Sequence, residues 1–235
     1  MRLEVIMDEN ILRLEVAACC RLSEYLGLFD FSGHVSARMP GTDTIFINYR
    51  DSVRSNIKPQ DIIKVNLKDG TSDDGRMAPS EVYIHTVIYQ RRPDVNAVAH
   101  LHSPAVIALS VAGKKFIPVI PRGSVFAAGV PVYDDSRTVN SLDSGKALAE
   151  MLGQRRAVIL RAHGSVVVAE SVKELLFYAL SLELNAVDQL AAYQAGEQPR
   201  TLREEEIKEG NRLYGQRLFE KAWDYYVDKA ALNFI

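Results

Sequence analysis

The chain has 235 residues, of which 47% are hydrophobic and 25% are charged, so it is long enough to bury a substantial core. Its formal net charge is −2, which gives none of the overall basic field expected of a nucleic-acid-binding or anionic-membrane-binding protein. No apolar run approaches the length of a membrane-spanning helix, and the first ten residues lack the long apolar stretch of a signal peptide. We therefore expect neither a nucleic-acid nor a membrane partner.

The first predicted element is a helix whose apolar residues recur at helical spacing. It begins near Asp8 or Asn10 and ends at Gly27. It carries the two cysteines, Cys19 and Cys20, whose adjacency disfavours a disulfide between them and predicts two buried thiols. A chain without disulfides is typical of the cytoplasm, where we expect this protein to reside.

The rest of the chain predicts an α/β protein with a mainly antiparallel sheet and with interleaved and terminal helices. The predicted strands are 34–38, 44–48, 62–67, 95–99, 157–161 and 166–168, with a strand, a turn and a strand over 116–132. The later predicted helices begin at Pro79, Pro104, Ser141, Glu174 and Arg203, and the last one runs to Lys229. This length and pattern predict one domain.

Two histidines, His100 and His102, stand one residue apart at the end of the predicted strand 95–99. Residues i and i+2 of a strand point to the same face, so the two imidazoles are expected side by side. Neutral imidazoles on one face favour a metal site, whereas the alternative is a strand end whose histidines meet solvent.

A third histidine, His163, also follows a predicted strand, directly before Gly164, which suits a tight bend. Three histidines with an open coordination position match a catalytic Zn²⁺ or a similar divalent ion. Taken alone, His163 is more typical of a strand-end histidine bonded to a backbone carbonyl.

A carboxylate, Glu81, lies in the first turn of the second predicted helix. It could serve the helix dipole, which is worth about 0.3–1 kcal/mol. His85 lies four residues later on the same helix face and could pair with Glu81, so we leave His85 out of the predicted metal ligands.

Several stretches, in their order and approximate spacing, resemble the class II aldolase/adducin family. They are Ser-Gly-His-Val-Ser-Ala-Arg at 32–38, Pro79-Ser80-Glu81 with His85, Arg-Pro-Asp-Val at 92–95 leading into His100-Leu101-His102-Ser103-Pro104, and Ala162-His163-Gly164. The resemblance covers about residues 8–200. It implies a three-layer α/β/α domain with a mostly antiparallel sheet, occupying residues 1–235 with a helical extension from about 201.

The resemblance also implies the site and the assembly. A divalent metal is expected on His100, His102 and His163, with Glu81 as the acid/base carboxylate. Mn²⁺ and Zn²⁺ are the preferred ions, although three imidazoles also accept Fe²⁺ or Co²⁺. Family members are usually homotetramers with active sites between subunits, which we expect here too.

The chain departs from the sugar-phosphate members of the family at three places. Gly33-His34 replaces a Gly-Asn pair, residues 48–52 replace a Thr-Pro-Ser-Gly-like phosphate cradle, and Pro79-Ser80 replaces paired serines. A phosphate dianion needs several convergent donors, and a proline removes both a hydroxyl and an amide donor. These departures disfavour a phosphorylated substrate.

The pattern Gly-His-Val-Ser-x-Arg-x-Pro-Gly-Thr-Asp at 33–43 resembles a branch of non-oxidative decarboxylases that act on hydroxylated aromatic dicarboxylates. Examples are 3-hydroxy-2-methylpyridine-4,5-dicarboxylate decarboxylase and dihydroxyphthalate decarboxylase. The resemblance implies a small carboxylate substrate, contacted by His34, Ser80 and Arg122. Arg50 and Arg54 could hold a second carboxylate or could be solvated surface charges.

The leading hypothesis is a metal-dependent carbon–carbon lyase, with decarboxylation of a hydroxyaromatic acid ahead of aldol cleavage of an unphosphorylated hydroxy-carbonyl compound. Two alternatives belong to other classes. One is a non-catalytic, adducin-like interaction module, and the other is an oxygenase that uses Fe²⁺ on the same three histidines.

Overall fold

The computed structural model describes residues 8–232, so most of the segment on which the signal-peptide expectation rests lies outside the described residues. The helices are α1 (Glu9–Tyr25), α2 (Val82–Arg91), α3 (Pro104–Val111), α4 (Leu142–Leu152), α5 (Val172–Gln194), α6 (Glu204–Leu213) and α7 (Gln216–Lys229). The strands are β1 (His34–Arg38), β2 (Thr44–Asn48), β3 (Ile62–Asn66), β4 (Ala97–Leu101), β5 (Val132–Tyr133), β6 (Ala157–Leu160) and β7 (Gly164–Ala169).

The strands form one seven-stranded sheet in the order β3-β2-β1-β4-β7-β6-β5. Every neighbouring pair is antiparallel except β5 and β6, which are parallel. The predicted, mostly antiparallel sheet is therefore confirmed. β4 lies at its centre, between β1 and β7.

Helices cover both faces of the sheet and give the three layers that the family resemblance implies. Ala97, Ala99 and Leu101 of β4 belong to the apolar cluster that includes α1, α3, α5 and α7, whereas Val98 belongs to the cluster that includes α2 and α4. This alternation follows from the two-residue period of a strand buried on both faces.

Helix α1 confirms the prediction for the two cysteines. Cys19 and Cys20 are both buried and both unbridged. None of the helices in the described part of the chain is long and apolar enough to cross a membrane.

The segment 116–132 does not form the expected strand, turn and strand. It contains a 3₁₀ helix at Pro121–Phe126, and its only strand residue is Val132, with which β5 begins. Prolines cannot donate to a strand ladder, and side chains of α5 take the place of a partner strand. Asn185 accepts from the Val119 amide at 2.8 Å and donates to the Ile117 carbonyl at 2.8 Å.

The predicted last helix is divided in two. The backbone is extended at Tyr214, where α6 ends, and at Gly215, which caps α7. The Tyr214 ring packs against Phe177 of α5, with ring centroids 5.3 Å apart, so this contact is made where the helix is interrupted.

Candidate metal centre

All five histidines of the chain meet at one end of the central strands. The ring centroid of His100 lies 4.8 Å from that of His102, 5.0 Å from that of His163 and 5.0 Å from that of His34. His85 joins the cluster through His34, at 4.8 Å. The structure therefore brings together the three predicted ligands and the predicted substrate contact His34.

Strand pairing and one glycine put these rings together. Antiparallel pairing of β1 with β4 sets His34 directly opposite His100. At the other side of β4, a Cβ atom on Gly164 would overlap the carbonyl oxygen of Leu101, so only glycine allows β7 to start this close. Ala162, with φ of 57°, makes the turn that carries His163 toward the other two ligands.

Hydrogen bonds to the outer nitrogens orient His100 and His102. Nδ1 of His100 lies 3.2 Å from the carbonyl oxygen of Ser165, which can only accept, so this nitrogen carries the hydrogen. The Ser32 hydroxyl donates to Asp30 at 3.2 Å and therefore accepts from Nδ1 of His102 at 3.1 Å. Both rings then turn the lone pair of Nε2 inward.

The inward-facing nitrogens suit a cation. The Nε2 atoms of His100 and His102 are only 3.1 Å apart, a distance at which two lone pairs repel each other unless a positive charge lies between them. His163 adds a third nitrogen, and all three ligand atoms lie within 4.8 Å of one another. The donor set fits a divalent ion with open coordination positions.

Glu81 faces the same space from the start of α2. It is 7% exposed, and its Oε2 lies 3.3 Å from Nε2 of His100 and 3.7 Å from Nε2 of His34. Its Oε1 accepts from the Val139 amide at 2.9 Å and lies 3.9 Å from Nε2 of His163. One oxygen is thus anchored, while the other is directed at the imidazoles.

Two expectations for this helix are wrong. α2 begins at Val82 rather than at Pro79, and Glu81 makes no capping hydrogen bond to it. His85 does not pair with Glu81, because its ring nitrogens lie 2.6 Å from His34 Nδ1 and 2.6 Å from Ser36 Oγ. His85 is therefore part of the histidine cluster rather than local support for the carboxylate.

The site is electrostatically matched to a cation. Burial alone would raise the pKa of Glu81, but the neighbouring imidazoles of His100 and His34 outweigh it and hold that pKa well below its usual range. Burial lowers the pKa of His34 and of His102 to about 4 and also lowers that of His163. The group thus combines neutral imidazoles, the form that binds metals, with one carboxylate.

A second donor group overlaps the first. His34, Glu81 and His100 also offer ligand atoms within 4.8 Å of one another. His100 and Glu81 border both groups, so the ligand sets compete for one region rather than making two separate sites. Which tautomer His34 adopts decides between them.

Ser80 and Arg50 are both exposed and line one cleft of about 560 Å³ at the start of α2. Glu81 and the five histidines are not among the residues that line this cleft. Arg54, by contrast, is buried, with its guanidinium bonded to the Gly33 carbonyl at 2.9 Å and to Ser52 Oγ at 2.9 Å. The reading of Arg54 as a solvated surface charge is therefore wrong.

Arg122 contacts an aromatic ring of α5 rather than the histidine cluster. Its guanidinium stacks over the ring of Phe177, 5.5 Å from the centroid. Within residues 8–232 it forms no hydrogen bond, ion pair or ring contact with the histidines. Within one subunit, the structure does not bring Arg122 to the predicted ligands.

The sequence did not point to the residues of the hydrogen-bond network around the histidines and Glu81, which are Asp30, Ser32, Ser36, Tyr89 and Val139. For two of them a signal exists. Ser36 is two residues from His34 on the same face of β1, and Tyr89 is one helical turn after His85.

Residues 14–190 match the family described as Class II Aldolase and Adducin N-terminal domain. The chain belongs to this family. Within it, 3,4-dihydroxyphthalate decarboxylase of Rhodococcus jostii (strain RHA1) is 35% identical over 199 residues, which cover 78% of this chain and 81% of that protein. The Arthrobacter keyseri protein of the same name is 31% identical over 225 residues, covering 90% of each chain. The resemblance to the decarboxylase branch is thereby confirmed.

Solved structures of the class II aldolase/adducin family share the fold. An aldolase II superfamily protein from Pseudomonas syringae has a TM-score of 0.83 and 24% identity, covering 97% of this chain and 94% of that one. At this identity the similarity establishes the three-layer fold alone. The two decarboxylase relatives, at higher identity, indicate that the chain is an enzyme.

Proposed function

We propose that this protein is a divalent-metal-dependent, non-oxidative decarboxylase of a hydroxylated aromatic dicarboxylate. The observation that carries the proposal is the buried Glu81 carboxylate, whose Oε2 lies 3.3 Å from the inward-facing nitrogen of His100. A carboxylate beside converging imidazoles provides both a metal site and a group for moving a proton. The relatives named 3,4-dihydroxyphthalate decarboxylase support the substrate class.

His100, His102 and His163 would hold the ion through neutral nitrogens. When bound, the ion supplies Lewis-acid chemistry that stabilises negative charge on the substrate. With only three protein ligands, the ion would keep open positions for a ring hydroxyl and its ortho carboxylate. The hydrogen bonds from Nδ1 of His100 and of His102 fix the ligand rings in the required orientation.

Glu81 would carry the proton that the reaction needs. The bond between the ring and the leaving carboxylate breaks, the electron pair stays on the ring carbon, and CO₂ departs. The free Oε2 of Glu81 takes the proton of the substrate hydroxyl on binding and then delivers it to that carbon. The nearby substrate carboxylates favour protonation of Glu81, because like charges raise a carboxyl pKa.

The second carboxylate of the substrate would lie in the cleft at the start of α2. Ser80 and Arg50 line this cleft and offer a hydroxyl and a guanidinium. Arg54 holds the backbone of the neighbouring loop through Gly33 and Ser52. Arg122 remains a predicted substrate contact, and we propose that it contributes to a site shared between subunits.

A homotetramer with shared sites also remains a proposal. The last helix, α7, carries several aromatic side chains, and burial of these by a neighbouring subunit would favour an oligomer. Phe219 and Trp223, however, are buried in the subunit's own core at 8% and 3% exposure, whereas Tyr225 is 58% exposed. Only Tyr225 among these three is available to a neighbour, so light scattering on the purified protein must decide the assembly.

The reaction is tested with protein loaded with Mn²⁺ or Zn²⁺. We expect CO₂ release from 3,4-dihydroxyphthalate or from 3-hydroxy-2-methylpyridine-4,5-dicarboxylate, and loss of that release after chelation. Cleavage of an unphosphorylated hydroxy-ketone without CO₂ release from either acid would instead establish the aldolase alternative. Turnover that requires O₂ would point to the oxygenase alternative, and absence of all three activities would favour an interaction module.

A further inference from the structure

A chain of hydrogen bonds runs from the site into the core on the side of His34. His34 Nδ1 lies 2.6 Å from His85 Nε2, and His85 Nδ1 lies 2.6 Å from Ser36 Oγ. Ser36 Oγ lies 2.9 Å from the Tyr89 hydroxyl, which in turn donates to the Ser36 carbonyl at 3.1 Å. Each of these four side chains is buried, and the proposed metal site and proton transfer leave His85, Ser36 and Tyr89 without a role.

The direction of this chain has two possible settings. The Ser36 hydroxyl has one hydrogen to give, either to Tyr89 or to His85, and the Tyr89 hydroxyl can give its own hydrogen to Ser36 Oγ or to the Ser36 carbonyl. If Ser36 donates to His85, then His85 donates to His34, and His34 presents Nε2–H to the site. If Ser36 donates to Tyr89, every bond reverses, and His34 presents a lone pair.

Glu81 decides between the settings. Nε2 of His34 lies 3.7 Å from Oε2 of Glu81, which is negatively charged. An N–H directed at a carboxylate is attractive, whereas a lone pair in the same place is repelled. The first setting is therefore favoured, and it removes His34 from the ligand group it could otherwise form with Glu81 and His100.

We propose that His85, Ser36 and Tyr89 are positioning residues that hold His34 as the Nε2–H tautomer, so that His34 donates a hydrogen bond to a substrate carboxylate oxygen and does not bind the metal. This inference rests on the proposed function for the identity of the acceptor. The tautomer itself depends only on the hydrogen-bond chain. An anionic substrate needs a donor at this place, because Glu81 alone would repel it.

The test is a pair of serine-to-alanine variants in zinc-loaded protein. Ser36→Ala removes the hydroxyl that directs His85, while Ser181→Ala removes a buried hydroxyl on α5 that has no hydrogen-bond partner among residues 8–232. ¹⁵N-detected spectra of the histidine rings report which nitrogen of His34 carries hydrogen. We expect Nε2–H in the wild type and in Ser181→Ala, and a mixture of tautomers in Ser36→Ala.

Activity and metal content complete the test. In Ser36→Ala, kcat for CO₂ release should fall by roughly 10- to 100-fold, the usual cost of losing an orienting partner, while zinc content and Tm stay at the Ser181→Ala level. Tyr89→Phe should act in the same direction with a smaller loss. A His34 ring without hydrogen on Nε2 in the zinc-loaded wild type, or an unchanged tautomer in Ser36→Ala, would overturn the inference. Because the spectra need no turnover, absence of CO₂ release would count against the proposed function and leave the tautomer measurable.

Discussion

Two glutamates with little solvent exposure, Glu81 and Glu183, contact different kinds of partner. Both carboxylate oxygens of Glu183 on α5 accept hydrogen bonds from backbone amides at the start of α3, from Ala105 at 2.9 Å and from Val106 at 3.1 Å. One oxygen of Glu81 accepts a hydrogen bond from a single backbone amide, and the other faces the imidazoles. A carboxylate with both oxygens committed to backbone is structural, whereas one with a spare oxygen can serve chemistry.

The pKa values of the two glutamates are also shifted in opposite directions. Burial raises the pKa of Glu183, and its two amide partners do not fully compensate. At Glu81 burial acts in the same direction, but the imidazoles outweigh it and lower the pKa. The comparison therefore predicts that equivalent substitutions at the two sites affect different properties, and variants in and around the two sites can test this.

The largest expected effect comes from removing a predicted metal ligand. His100 is shared by both donor groups, so His100→Ala should lose the divalent ion and bring CO₂ release to the background level. Elemental analysis of purified protein provides the measurement. Full metal content in His100→Ala would contradict the ligand assignment, and far-UV circular dichroism would check that the variant is folded.

The next effect sharpens the comparison directly. Glu81→Gln keeps the shape but cannot accept and release the proton, so kcat should fall by about 10²-fold or more while metal content is unchanged. Glu183→Gln is the matched control and should keep kcat near the wild-type value. Equal kcat in wild type and Glu81→Gln would end the proton-carrying role of Glu81.

A smaller effect is expected in the cleft at the start of α2 that Ser80 and Arg50 line. Arg50→Met removes an exposed cation, so about 1 kcal/mol of substrate binding is at stake and KM should rise roughly fivefold with little change in kcat. Arg91→Met, an exposed arginine bonded to the Lys146 carbonyl on α4, is the control. An unchanged KM in Arg50→Met would exclude Arg50 as the second-carboxylate contact.

The sequence predicts those parts of the fold and site that depend on local pattern. The two-residue period of a strand places His100 and His102 side by side, and Gly164 marks the close approach that brings in His163. The pairing of β1 with β4, which sets His34 opposite His100, depends on long-range register and has no local signal.

The errors have the same origin. The segment 116–132 has the composition of strands, but its backbone is satisfied by Asn185 and Gln189, about 70 residues later in the chain. His85 lies one turn after Glu81 on a predicted helix, yet its hydrogen-bond partner His34 comes from strand β1. Tertiary hydrogen bonds that replace local ones are not visible in periodicity.

The smallest expected effect concerns stability and pH. Because burial raises the pKa of Glu183, the native state binds this proton more tightly than the unfolded state does. Stability contributed by the group is therefore fully present below the unfolded pKa and is lost as pH rises through the native one. Glu183→Gln cannot titrate, so the free energy of unfolding of the wild type relative to this variant should decrease from acid to neutral pH.

Urea unfolding of both metal-loaded proteins at several pH values between 4 and 7 gives this difference, because other titrating groups are common to both. The difference for Glu183→Gln should remain below about 1 to 2 kcal/mol, since each hydrogen bond to the helix start contributes a modest net amount. A difference that instead grows in favour of the wild type with rising pH would mean that the two amide bonds outweigh burial, and the contrast with Glu81 would then rest on the spare oxygen alone.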